Sequence, residues 1–154
     1  MAKEIERKFL VELNNLRELP EGIAIKQGYI PTVGNTVVRV RLAGDKAFLT
    51  LKGENKGLVR SEFEYATSIK DAQAMIAELC KGPVIDKTRY NIEHQGHIWE
   101  LDIFHGDNKG LIVAEIELKA EEEVFTLPDW VTNEVSDDPR YYNSSLLDRP
   151  YCQW

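Results

Sequence analysis

The chain has 154 residues, 43% hydrophobic and 29% charged, with a formal net charge of −7. That is enough chain to bury one core as a single domain over residues 1–154, and too apolar for a disordered segment. An acidic balance speaks against nucleic-acid or anionic-membrane binding through a broad basic surface; no apolar run approaches the roughly 20 residues of a membrane span, and the opening residues carry no signal-peptide core, so a cytoplasmic location is expected.

The first predicted strand, residues 3–13, opens on Glu4-Ile5-Glu6-Arg7-Lys8. Side chains of a strand alternate, so Glu4, Glu6 and Lys8 share one face and Ile5, Arg7 and Phe9 the other. Carboxylates two residues apart lie roughly 7 Å from each other and repel by on the order of 2 kcal/mol at an effective dielectric of about 20, so the pair needs cations or water. A turn containing one helical turn, residues 14–22, leads to strands at 24–32, 36–43, 46–52 and 58–66. The links between them are mostly hairpin-length, which makes the sheet antiparallel.

The period then changes. Ser68 to Asp71 starts a helix whose apolar stripe, Ile69, Ala72, Met75, Ile76 and Leu79, packs on the sheet and stops at Lys81-Gly82-Pro83. Strands resume at 84–94, 97–104 and 111–120. Leu127 to Trp130 suggests a turn into a short helix, and residues 141–147 another that is placed to close one end. Eight antiparallel strands curl or close upon themselves, giving a mainly β protein with helices outside.

The polar faces repeat the opening arrangement. They carry Gln27 and Tyr29, Arg39 and Arg41, Thr50 and Lys52, Arg60, Glu62 and Glu64, then Lys87 and Arg89, Glu100 and Asp102, and Glu115 and Glu117. Alternation is compatible with these faces pointing to solvent or into a closed sheet. Like charges paired on single strands favour the inward arrangement, with basic strands beside acidic ones forming a site for a polyanion and its metal counter-ions. Trp99 then faces outward under the helix or a partner, and the many apolar outer faces predict a homodimer packed through the barrel wall.

Such a site suits phosphoryl transfer. Arg39, Arg41, Lys52, Lys87 and Arg89 would neutralise a phosphate chain, and the carboxylates would hold divalent cations that lower the pKa of a bound water. Lys8, Lys52 and Lys87 are the candidate proton acceptors, being lysines among basic neighbours. Cys80 and Cys152 read as reduced structural thiols, and His94, His97 and His105 as turn or surface residues without zinc-motif spacing. No Walker A, G-x-S-x-G or G-x-G-x-x-G is present.

The segment Glu4 to Lys8 resembles the E-x-E-x-K signature of the CYTH superfamily, the triphosphate tunnel metalloenzymes. Gln27-Gly-Tyr29, Arg39-Val-Arg41, Thr50-Leu-Lys52, Arg60-Ser-Glu-Phe-Glu64, Lys87-Thr-Arg89, Glu100-Leu-Asp102 and Glu115-Ile-Glu117 follow in the family's order. The resemblance implies an eight-stranded antiparallel closed β-barrel, a tunnel binding triphosphate substrates with Mg²⁺ or Mn²⁺, two divalent ions in all. Carried over, Glu4, Glu6, Glu115 and Glu117 are metal ligands, with Glu62, Glu64, Glu100 and Asp102 as further acidic candidates. Arg39, Arg41, Lys52, Lys87 and Arg89 bind phosphate, and Lys8 orients phosphate or water. A short chain with little left over for a nucleobase or thiamine pocket points to inorganic triphosphate, with nucleoside triphosphates weaker; water activated by the cation would attack the terminal phosphorus. Class IV adenylyl cyclase, thiamine triphosphatase and a non-catalytic polyphosphate or nucleotide sensor are the alternatives.

Overall fold

Nine strands and one α-helix organise the described residues. A computed structural model describes residues 3–154, so the first two residues of the domain expected over 1–154 lie outside the described residues. The strands are β1 (Lys3–Val11), β2 (Ile23–Ile30), β3 (Val37–Ala43), β4 (Lys46–Lys52), β5 (Val59–Thr67), β6 (Lys81–His94), β7 (His97–Phe104), β8 (Ile112–Glu117) and β9 (Val131–Glu134); the helix α1 is Ile69–Glu78. Hydrogen bonding runs β5-β4-β3-β2-β6-β7-β8-β1, and β1 returns to β5, so eight antiparallel strands close into the expected barrel. No helix among the described residues is long and apolar enough to cross a membrane.

The closing seam is short. β1 meets β5 over three pairs, Lys3 with Ser61, Glu4 with Arg60 and Ile5 with Val59. Farther along the same edge, β9 takes over and pairs Phe9 with Glu134 and Val11 with Val131. This ninth strand corrects the expectation of a short helix after Trp130. The run Val131-Thr-Asn-Glu134 has no apolar alternation of its own and forms a strand because β1 offers it an unpaired edge.

Two boundaries also differ from expectation. β6 begins at Lys81 rather than Val84, because the register against β2 shifts between Gln27 and Tyr29 and gives Pro83, which has no N–H to donate, a place in the irregularity. The tail around 141–147 forms two 3-10 turns, Pro139–Tyr141 and Ser145–Leu147, instead of one helix. By contrast, α1 starts as predicted, with the Ser68 hydroxyl accepting the Asp71 N–H at 3.0 Å.

Three apolar assemblies hold the barrel. α1 packs Ala72, Met75 and Ile76 against Val40, Ala47 and Leu49 outside β3 and β4. Cys80, just beyond α1, sits so close to β2 that a Cβ on Gly28 would lie 2.9 Å from its sulfur, which explains the glycine there. Trp99 faces outward as expected, but its cover comes from the segment leading to β9 and from β1: Phe125 and Trp130 of the former and Phe9 of the latter meet it edge-to-face with centroids 5.5 to 5.9 Å away.

The third assembly lies at one end of the barrel. Tyr29, Ile85, Phe104 and Val113 stand two residues from Gln27, Lys87, Asp102 and Glu115 on the same strands, so the inward face turns from charged to apolar there. Leu146, fully buried, is inserted among them by the tail. The tunnel is therefore closed at that end.

Candidate functional site

The inward faces enclose one cavity of about 240 Å³ lined by seven acidic and seven basic side chains. Around the barrel, β3, β2 and β6 are adjacent and carry Arg39, Arg41, Lys87 and Arg89; β7, β8, β1 and β5 follow and carry Glu100, Glu115, Glu117, Glu4, Glu6, Glu62 and Glu64. A basic arc thus faces an acidic one. Lys52, on β4, stands where the two arcs meet, its Nζ 3.1 Å from Glu4 and 3.3 Å from Glu62, and Lys8, on β1, lies within the acidic arc, its Nζ 3.8 Å from Glu115.

The sequence-predicted residues converge on this cavity with one exception in placement. Asp102 is completely buried behind the basic arc, where one oxygen is 2.8 Å from Lys87 Nζ while Arg89 makes a two-pronged contact at 2.8 and 2.9 Å. It serves the bases and does not line the cavity. The three histidines are elsewhere. His94 and His97 flank a hairpin turn in which Gln95 and Gly96 take positive φ, and His105 bonds Thr88.

Several lining residues had no periodic signal. The tail contributes Ser136, Tyr142, Asn143 and Ser144, and the loop before β5 contributes Asn55, Gly57 and Leu58. Arg60 lines the cavity too, with its Nε donating to the Gly53 carbonyl at 2.8 Å. Lys8 Nζ donates to the Tyr141 carbonyl at 2.8 Å, so the tail also reaches β1, within the acidic arc.

The cations differ in how fully they are compensated. Arg89 is paired with Asp102, Glu100 and Glu115, and its guanidinium is held well above its ordinary value by these acids despite burial. Arg41 has no carboxylate partner among the described residues; its Nε donates to Gln27 Oε1 at 2.8 Å. Burial first, then Arg39 and Arg89, lowers its pKa to about 10. Arg39 Nε is buried without any partner among the described residues. These unmet donors call for an anion.

Burial lowers Lys87 to about 7, outweighing the attraction of Asp102. Lys52 goes the other way, because Glu4, Glu6 and Glu62 overcome its burial and the repulsion of Arg39. Among the acids, burial raises Glu4 to about 7 against the pull of Lys52, with Glu62 adding to the rise. Glu6 is pushed well above its ordinary value by burial and by the neighbouring Glu115, while Glu115 is held well below its own, its burial overcome by Lys8, Glu6 and Arg89. Glu117 is raised by burial and by Glu62 and Glu100.

Carboxyls that face one another and retain protons near neutrality are a donor set for hard divalent cations, which replace those protons. Among the described residues no three acidic, His or Cys side chains converge as a ready-made cage.

The sequence matches the model of the CYTH domain over residues 2–148. It is 46% identical over 151 residues to an inorganic triphosphatase of Acetivibrio thermocellus, covering 98% of this chain and 97% of the relative. An inorganic triphosphatase of Nitrosomonas europaea is 36% identical over 147 residues, 93% and 95% of the two chains. A crystal structure of an inorganic triphosphatase superposes with a TM-score of 0.67 at 34% identity, over 96% of this chain and 95% of that one.

Proposed function

The chain belongs to the CYTH domain family, and on that premise we propose that it hydrolyses inorganic triphosphate with the help of divalent cations. The observation that carries this reading is the division of one cavity into facing basic and acidic arcs, with Arg41 uncompensated on the basic side. A short linear polyphosphate meets both demands. The lining includes only two aromatic residues among those described, Tyr29 and Tyr142, which favours an inorganic chain over a nucleoside triphosphate.

We assign the ions as Mg²⁺ or Mn²⁺, with Glu4 and Glu6 on β1 and Glu115 and Glu117 on β8 as two pairs of ligands that support a two-ion reading, and Glu62, Glu64 and Glu100 around them. When bound, such ions neutralise charge on phosphate oxygens and make a bound water more acidic. Arg39, Arg41, Lys52, Lys87 and Arg89 grip the phosphate chain, and Lys8 orients the phosphate next to Glu115. Of the candidate proton acceptors, Lys87 at about 7 changes charge near neutral pH, whereas the raised Lys52 stays an ammonium. Asp102 holds Lys87 and Arg89 in place.

The test is a panel of tripolyphosphate, ATP, GTP and thiamine triphosphate with Mg²⁺ or Mn²⁺, scored for phosphate, pyrophosphate and cyclic nucleotide. Phosphate appears fastest from tripolyphosphate. Cyclic AMP as the main product from ATP, or binding without turnover, would replace this reading by the cyclase or the sensor. We further propose a cytoplasmic homodimer joined through the outside of β4 and β5, where Leu51 pairs with Phe63 and Leu49 with Tyr65, and where Phe63 and Tyr65 are 46% and 58% exposed. A monomeric mass by light scattering at micromolar concentration counts against it.

A further inference from the structure

The tail enters the basic arc through a single side chain. Asn143 Oδ1 accepts the Lys87 Nζ at 2.8 Å and the Gln27 Nε2 at 3.1 Å, and the Gln27 Oε1 accepts the Arg41 Nε at 2.8 Å. Arginine can only donate, which fixes the orientation of both amides: the oxygen of Gln27 must face Arg41, so its nitrogen faces Asn143, whose oxygen accepts from it and lies toward Lys87. Gln27 is then left with its nitrogen toward Asn143, and it has a second acceptor in the Tyr29 hydroxyl at 2.8 Å. The chain of contacts is continuous and correctly polarised from Arg41 on β3, through Gln27 on β2 and Asn143 on the tail, to Lys87 on β6.

Each link restrains a cation that would otherwise have freedom. Arg41 has no carboxylate among the described residues, so Gln27 is what sets the plane of its guanidinium. By occupying Nε, it leaves the two terminal nitrogens for an anion. Lys87 has Asp102 on one side and Asn143 on the other, each at 2.8 Å, so the direction of its third N–H is determined by both. Gln27 is fully buried; Asn143 is half-buried on a tail segment that lines the cavity.

We propose that Asn143 is a positioning residue for the phosphate-binding wall, acting on Lys87 directly and on Arg41 through Gln27, so that the tail is part of the site and not only its stopper. The inference rests on the assignment of this cavity to triphosphate. It is tested by kcat and KM for tripolyphosphate with Mg²⁺ in the wild type, Asn143→Ala, Gln27→Met and the double variant, with thermal melts to establish that each is folded at the assay temperature. Each single variant raises KM roughly tenfold, the worth of one charge-assisted hydrogen bond. Because both break the same chain of contacts, the double variant stays near tenfold and does not reach hundredfold. Folded single variants with wild-type KM, whatever their melting temperature, overturn the positioning role and leave only a stopper. Should Gln27→Met not fold, Asn143→Ala and Asn143→Ser decide between the same outcomes. An inactive wild type would instead bring down the functional assignment itself.

Discussion

The ammonium of Lys52 lies 3.1 Å from Glu4 and 3.3 Å from Glu62, two acids on the strands that meet at the three-pair seam. One cation therefore ties the weakest junction of the barrel together from inside. Replacing it with methionine leaves two largely buried carboxyls without their cation. Lys52→Met is expected to lower the stability of the metal-free protein by on the order of 2 kcal/mol, the worth of hydrogen bonds to a charged group, read as a lower urea midpoint. An unchanged midpoint would mean that the backbone pairs alone hold the seam.

Arg41 is expected to dominate phosphate binding, because its charge is not already spent on a carboxylate. Arg41→Ala should reduce kcat/KM for tripolyphosphate by roughly 100-fold, two charge-assisted hydrogen bonds' worth, while Arg41→Lys recovers only part of this because an ammonium lacks the planar fork. Full recovery in Arg41→Lys would show that charge alone matters.

The metal-free protein should lose stability as pH rises from about 4.5 toward 7. The Glu4 carboxyl is raised to about 7 when folded against 4.5 ordinarily, so the folded state holds a proton that the unfolded chain has released. Its contribution is complete below about 4.5 and gone above 7, with a slope of roughly 1.4 kcal/mol per pH unit between. Glu6, shifted in the same direction, adds to it. Lys87, lowered to about 7, acts in the next window: its penalty is relieved as pH climbs from 7 toward 10.5. Urea titrations in chelator at several pH values should show the first slope flattened in Glu4→Gln; an identical slope in the variant would assign it to another group.

Divalent ions should reverse the first trend. Mg²⁺ at about 100 times its dissociation constant contributes roughly 2.7 kcal/mol, or a rise in melting temperature of roughly 5–10 °C for a domain of this size. The rise should be larger at pH 8 than at pH 6, where Glu4 still holds its proton, and should shrink in Glu117→Ala. Differential scanning calorimetry with and without chelator reads both effects.

Leu146→Ala should cost about 3 kcal/mol, since its side chain is fully buried in the apolar layer that closes the barrel. A chemical denaturation curve within experimental error of the wild type would show that the layer collapses onto the space.

The barrel strands were legible because their charges recur at period two, and α1 because its stripe and its Ser68 cap agree. The same alternation made the charged faces conspicuous, since pairs such as Arg39 with Arg41 and Glu115 with Glu117 have no reason to gather on a solvated surface. β9 was not legible: its pairing is dictated by the free edge of β1, a property of the assembled barrel. The stretch 141–147 was placed at one end of the barrel, but nothing singled out Tyr142 or Asn143 as lining the cavity, which they reach between 3-10 turns without periodicity. Asp102 looked like one more acid in sequence, and only its complete burial and its contact with Lys87 distinguish it from Glu100 two residues earlier.

The link from Lys8 to the Tyr141 carbonyl spans 133 residues, and β9 adds its pairs to the same first strand. During synthesis, β1 must wait for nearly the entire barrel to emerge before it finds these partners. Folding dominated by such distant contacts is slow, with closure of the first strand against the last segments as its late event. A ribosome-stalled chain ending before residue 131 would carry every metal and phosphate ligand assigned above, yet its cavity would still be unwalled at one end, so catalytic competence should arrive abruptly with the final stretch and not accumulate strand by strand.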